Sequence, residues 1–199
     1  MQSKKPVLVV GDWLTKNNRY EARKDNPFAG YEGRLLRAIL HSAGLDPKKD
    51  CAFTKVFMAD PGNAGLKYFC IPKARVKTAG DIPIKEEWLP HIDRLHQYVE
   101  YINPNIILAL GEVPMWALTE KRGLEKYRGT ILISDRHNKK VLPTYPISSI
   151  IAQWSLRVIL QADFEKACKE ATSPTYERKP RYILIEPTIQ EIRRFMEDH

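Results

Sequence analysis

Two segments of this chain, Pro6-Val7-Leu8-Val9-Val10-Gly11 and Ile106-Ile107-Leu108-Ala109-Leu110-Gly111, share one pattern: a short apolar run that stops on glycine. A strand without polar alternation must be covered on both faces, which is the condition of a buried parallel strand. Residues 51–58 read as another strand, closed by the turn Asp60-Pro61-Gly62-Asn63. Residues 130–133 and 140–144 flank the polar stretch Ser134-Asp135-Arg136-His137-Asn138 as a hairpin.

The segments between have helical periodicity. Residues 31–43 set Leu35, Leu36, Ile39 and Leu40 on one side and stop at Gly44. Residues 86–102 carry a stripe of Leu89, Ile92, Leu95, Val99 and Ile102, and Asn103-Pro104 ends it because proline disfavours a helical residue before it. A short helix is predicted over 113–118, and 153–171 turns Leu156, Ile159, Leu160, Phe164 and Ala167 inward. Strands alternating with helices imply an α/β sandwich with a largely parallel sheet. Ligands of such sheets bind at the carboxyl ends of the strands, which groups Gly11-Asp12, residues 54–63, Gly111 and residues 145–149 around one cleft.

At 199 residues, the chain has room for one domain with a full core. No run approaches the roughly 18 apolar residues of a membrane span, and the six-residue apolar stretch at the N-terminus is too short for a secretory signal. Cys51, Cys70 and Cys168 are odd in number and widely spaced, which argues against a disulfide framework and a Cys-x-x-Cys metal site. The five histidines likewise show no metal-ligand spacing. The expectation is a soluble cytoplasmic protein with no membrane partner and no metal.

The net charge of +8 lies wholly in residues 1–171, which hold 27 Lys and Arg against 19 Asp and Glu; residues 172–199 are neutral. Between Gly62 and Lys85 stand Lys67, Lys73, Arg75, Lys77 and Lys85 against Asp81 alone. Concentrated positive charge suits a phosphate backbone, since each neutralised phosphate releases a counterion. The same run would also serve a solvated loop. The chain divides into a body over 1–171, a proline-flanked linker over 172–181, and a strand–helix appendage over 182–199 that either docks on the body or begins a further domain. Thr188, with Glu191 three residues on, is a capping signal for the appendage helix.

Three strings around the cleft carry a family resemblance. Asn26-Pro27-Phe28-Ala29-Gly30-Tyr31-Glu32-Gly33-Arg34-Leu35-Leu36, Asn103-Pro104-Asn105-Ile106-Ile107-Leu108-Ala109-Leu110-Gly111, and Tyr127-Arg128-Gly129 followed by Val141-Leu142-Pro143-Thr144-Tyr145 occur in an order and spacing that resemble the uracil-DNA glycosylase superfamily. The likeness is nearest to the iron–sulfur (family 4) branch and covers residues 6–170. It implies a three-layer α/β/α sandwich around a mostly parallel four-stranded sheet, with DNA as partner. It also implies a base pocket built from Phe28, Thr54, Tyr145 and Pro146, with Asp12 activating water. Phe28 stands where the family stacks its flipped base, although an ordinary core aromatic would look the same. Asp12 could equally cap a loop or helix. Lys67, Lys73, Arg75 and Lys77 of the inserted loop would contact the DNA backbone, and Ser148 and Ser149 either touch phosphate or cap the next helix.

The chemistry-bearing positions depart from that family. Its Gly-Glu-Ala-Pro-Gly motif appears as Gly11-Asp12-Trp13-Leu14-Thr15, a carboxylate one methylene shorter. Counting back from Pro61-Gly62-Asn63, the uracil-reading Asn falls on Thr54, whose hydroxyl lacks the paired donor and acceptor of an amide. The His-Pro motif falls on Pro146-Ile147, removing the donor to the departing base. Losing one preorganised donor of this kind typically costs on the order of 100-fold to 1000-fold in rate. Met58 and Trp88 fill two of the cluster-cysteine neighbourhoods and the N-terminal pair has no counterpart, so no iron–sulfur cluster or other cofactor is expected.

Two functions follow. One is a DNA-binding or tethering module, associated with repair or replication, whose ordinary uracil excision is lost or greatly weakened. The other is an active DNA glycosylase hydrolysing the N-glycosidic bond of uracil or another modified base through Asp12. The tail string Arg181-Tyr182-Ile183-Leu184-Ile185-Glu186-Pro187-Thr188 resembles the lead-in to the exonuclease region of phage-type family A DNA polymerases. That likeness implies a DNA polymerase or replication protein as partner and, for a phage protein, the host cytoplasm as location.

Overall fold

The computed structural model describes residues 5–15, 27–71, 83–177 and 186–198. Five strands form one sheet: β1 (Val7–Trp13), β2 (Cys51–Phe57), β3 (Ile106–Leu110), β4 (Leu132–Ser134) and β5 (Lys139–Thr144), in the spatial order β2-β1-β3-β5-β4. β1 runs parallel to β2 and β3, and β3 runs parallel to β5. β4 pairs antiparallel with β5, so the expected four-stranded sheet gains a fifth, edge strand. That strand is the first arm of the hairpin, expected over 130–133 and found over Leu132–Ser134, after a turn at Gly129 with a positive φ of 71°.

The helices are α1 (Gly30–Ser42), α2 (Leu89–Ile102), α3 (Glu112–Thr119), α4 (Leu124–Tyr127), α5 (Ile147–Ala152), α6 (Leu156–Glu170) and α7 (Ile189–Asp198). The helix expected from residue 86 begins at Leu89 after a 3₁₀ turn over Glu86–Trp88, with Pro90 in its first turn, where a missing N–H leaves no bond unmade. The helix expected from 153 begins at Leu156; the residues before it form the separate α5. In α7 the Thr188 backbone N–H donates to Glu191 Oε2 at 2.8 Å, and the Glu191 N–H returns to Thr188 Oγ1 at 3.3 Å. That is the reciprocal cap its sequence signalled. The strand expected near 182–185 and linker residues 178–181 lie outside the described residues.

The pleat sorts the apolar runs between two cores. Val7, Val9, Ile106 and Leu108 meet α1, α5 and α6 on one face; Leu8, Val10, Ile107 and Ala109 meet α2 and α3 on the other. The three-layer α/β/α sandwich follows from that division. α1 links β1 to β2 across one face, and α2 carries the chain from β2 over the other face to β3. The windings therefore part between β1 and β3, where crevices open in such sheets. Among the described residues no helix is long and apolar enough to cross a membrane.

Candidate base pocket at the strand ends

Gly11 pairs with Lys55 on one side and Leu110 on the other, and Leu110 with Thr144, so the strand ends line up. Asp12 follows Gly11 at the switch between β1 and β3. The Val113 backbone N–H, at the start of α3, donates to its carboxylate. Its Oδ1 is buried with no hydrogen-bond partner. Burial pushes the carboxyl from 3.8 up to about 7, opposed by Lys55 and reinforced by Glu32, with smaller effects from the Val113 amide and Glu112. Gly111, φ +115°, lets the carboxylate in: a Cβ there would stand 2.8 Å from Asp12 Oδ1.

Lys55 is the cationic member of the site. It is the one charged residue of β2, is 5% exposed, and holds its Nζ 3.9 Å from the centre of the Phe28 ring. Burial pulls its amine below the ordinary lysine range, while Glu32 and Asp12 resist. Phe28 is fixed from behind. Its ring meets Phe53 edge-on at 6.0 Å, and Arg37 donates to its carbonyl at 2.8 Å and to that of Gly33 at 2.9 Å. Gly33 is required here, because a Cβ would fall 1.8 Å from the Phe28 carbonyl oxygen.

Two cavities meet at Asp12. The smaller, about 240 Å³, is lined by Phe28, Glu32, Lys55, Asp12, Pro146 and Ser148 among others. The larger, about 640 Å³, runs past Trp13, Glu112, Glu125, Tyr145 and Ser149. Glu112 accepts from the Gly123 and Leu124 backbone N–H groups at 2.8 Å each and so anchors α4 against α3. Tyr145 donates its hydroxyl to Glu125 at 2.7 Å, which raises the phenol above its usual range. Beneath it, Asp163 accepts from Thr144 Oγ1 at 2.5 Å and pairs with Arg128 at 3.2 Å, and the Arg128 guanidinium lies over the Tyr145 ring. This buried network fixes the turn that carries Tyr145 and Pro146.

Of the sequence-derived candidates, Asp12, Phe28 and Pro146 share the smaller cavity with Ser148, while Tyr145 and Ser149 line the larger one. Thr54 is not among them: it lies on the opposite face, its hydroxyl accepting from Arg94 Nη1 at 3.2 Å. Strand alternation decides this, since a shift of one residue reverses the face; Lys55 occupies the position given to Thr54. Ser148 and Ser149 do not cap the next helix: both lie inside α5, whose N-cap is Pro146, and the N-cap of α6 is Ser155. Lys67 is exposed in the 3₁₀ turn Gly62–Tyr68, whose Leu66 reaches the larger cavity. Lys73, Arg75 and Lys77 lie outside the described residues. Sequence reasoning missed Lys55, although a lone lysine within Cys51–Phe57 was the signal for it, and missed Glu32 beside it and Glu112 and Glu125 in the larger cavity.

A family model described as "Uracil DNA glycosylase superfamily" matches residues 2–172. The chain is 28% identical over 187 residues to a DNA polymerase of Bacillus phage SP01, a match that covers 89% of this chain and 18% of that protein. It thus spans less than a fifth of the polymerase. It is 25% identical over 178 residues to a type-4 uracil-DNA glycosylase of Saccharolobus solfataricus, covering 86% of this chain and 73% of the relative. With the type-4 uracil-DNA glycosylase of Thermotoga maritima it shares 29% over 151 residues, 74% and 69% of the two chains. The family match takes in all five strands and both cavities at Asp12, and the chain belongs to the uracil DNA glycosylase superfamily.

Proposed function

We propose that this protein binds DNA through the strand-end crevice, with ordinary uracil excision lost or greatly weakened, and serves as a tethering module in repair or replication. The observation that carries this reading is the Lys55 ammonium 3.9 Å over the Phe28 ring. A base stacked on that face would need the same space, so uracil would have to displace a buried lysine. Pro146, which lines the cavity, has no side-chain donor to offer a departing base. A basic body and an exposed Lys67 beside the crevice supply the backbone attraction. The likeness to a phage DNA polymerase supports a replication protein as the tethered partner.

The iron–sulfur cluster that the resemblance to family 4 implies does not fit the residues here. The Met58 backbone N–H donates to His91 Nδ1 at 3.1 Å, and Trp88 packs edge-on against Phe69 at 5.1 Å. Phe69 stacks on Phe57 at 4.0 Å. Aromatic rings thus fill most of the neighbourhood where thiolates would be needed; Cys70 alone packs against them, a single thiol where a cluster takes four, and Cys51 and Cys168 belong to the core on the other face. No step here runs through such a cluster.

The second reading, an active glycosylase, has one observation in its favour. The unpartnered Oδ1 of Asp12 belongs to a carboxyl that titrates near neutrality, which suits a general base. One paired experiment separates the two. Fluorescence anisotropy with labelled DNA at rising salt should give affinity that falls log-linearly. Alkaline cleavage of a uracil-containing strand should yield about 100-fold less product, or less still, than an active type-4 enzyme. Excision at the active enzyme's rate, abolished by Asp12→Asn, establishes the second reading. Absent or salt-independent binding refutes the first.

A further inference from the structure

The geometry points to Lys55 as an amine that captures the aldehyde of an abasic site in DNA, forming an imine at the base pocket with Asp12 as its proton carrier. The inference rests on the DNA-binding reading above and deepens it by naming what the crevice accepts.

Three observations converge on it. First, Lys55 is buried in a strand end that faces a cavity, and among the described residues no carboxylate stands within ion-pair distance of its ammonium. A buried amine held below its usual range gives up its proton more readily than a surface lysine, which favours the lone pair that carbonyl condensation requires. Second, the amine itself covers Phe28, so the pocket is closed to a stacked base but open to a smaller group. A deoxyribose that has lost its base presents such a group, because its ring-opened form carries a free aldehyde at C1′. An abasic nucleotide also leaves the stack with least cost, having no base to unpair. Third, Asp12 lines the same cavity with an oxygen that no protein group satisfies, and it holds a proton up to about pH 7.

The chemistry closes without a co-reactant. The Nζ lone pair attacks the C1′ aldehyde and a C–N bond forms, while the carbonyl oxygen takes the Asp12 proton to become a hydroxyl. Nitrogen gives a proton back to Asp12. The carbinolamine then loses its hydroxyl as water, the leaving oxygen being protonated by Asp12, and a C=N bond results. The remaining N–H of the iminium returns the proton to Asp12. One water leaves, and no atom changes its oxidation level beyond that exchange.

The test is borohydride trapping with the wild-type chain and an abasic oligonucleotide, alongside a tetrahydrofuran analogue that lacks the aldehyde. Hydride reduces the imine to a stable amine, and the adduct is digested and mapped by mass spectrometry. The expected result is a cross-link that needs both borohydride and the aldehyde and that maps to Lys55. Lys55→Arg should lower the yield about tenfold or more, since guanidinium cannot condense. Mapping on wild-type protein keeps the result decisive even if that variant folds poorly. No cross-link, or one confined to surface lysines such as Lys67, overturns the inference. Anisotropy of the wild-type protein on the tetrahydrofuran strand separates the failures: binding without a cross-link refutes the imine alone, and no binding refutes the DNA-binding reading as well.

Discussion

Replacing Asp12 by asparagine should stabilise this protein at alkaline pH and leave it nearly unchanged in acid. Burial moves the carboxyl from 3.8 to about 7, which corresponds to about 4 kcal/mol between its protonated and ionised forms. Below pH 4 the folded and unfolded chains both hold the proton, and the site costs nothing. Between pH 4 and 7 the unfolded chain releases its proton while the folded chain keeps it, so stability falls as pH rises. Above pH 7 the folded state ionises too and bears the whole cost. Asparagine keeps the shape, can still accept from the Val113 N–H, and never ionises. Relaxation and water entry reduce the cost of a buried charge in a real protein, so the expected gain at pH 8 is on the order of 1–4 kcal/mol. Urea unfolding of both proteins at pH 4 and pH 8, at one ionic strength, measures it; groups that do not interact with Asp12 cancel in the difference between them. A gain at pH 8 no larger than that at pH 4 would refute the buried, high-titrating carboxyl, and with it Asp12 as proton carrier.

Two further outcomes follow from contacts around the same site. Gly111→Ala would put a Cβ at φ +115° and 2.8 Å from Asp12 Oδ1; that backbone region costs other residues about 1–3 kcal/mol, and a thermal melt within 1 °C of wild type would contradict the packing described. Asp163→Ala would strip both Arg128 and the fully buried Thr144 hydroxyl of their acceptor, at a cost of about 3 kcal/mol in urea unfolding. Asp163→Asn should recover part of that loss, because its amide oxygen can still accept from Thr144.

The layered α/β body was legible in the chain itself. The apolar runs ending at Gly11 and Gly111 could only be covered on both faces. The stripes of α1, α2 and α6 follow from helical spacing, save for Leu89, which is exposed at the start of α2, and the Thr188–Glu191 cap was written in four consecutive residues. These features depend on neighbours in sequence, where periodicity and local hydrogen bonding act. Asp12 and Phe28 were also singled out in the sequence, each beside a recognisable string, and both line the smaller cavity.

Only the tertiary structure decided what meets inside the pocket. Counting along the chain placed Thr54 at the base, yet the pleat sends it to Arg94 and turns Lys55 toward Phe28. A one-residue count cannot resolve a period of two once the intervening turn changes length. The elevated Asp12 carboxyl has the same origin. Its burial, the Val113 amide, Lys55 and Glu32 come from four separate segments of the chain. Charge, desolvation and stacking act through space over a few ångströms, so the chemistry of this site emerges only when β1, β2, α1 and α3 are brought together.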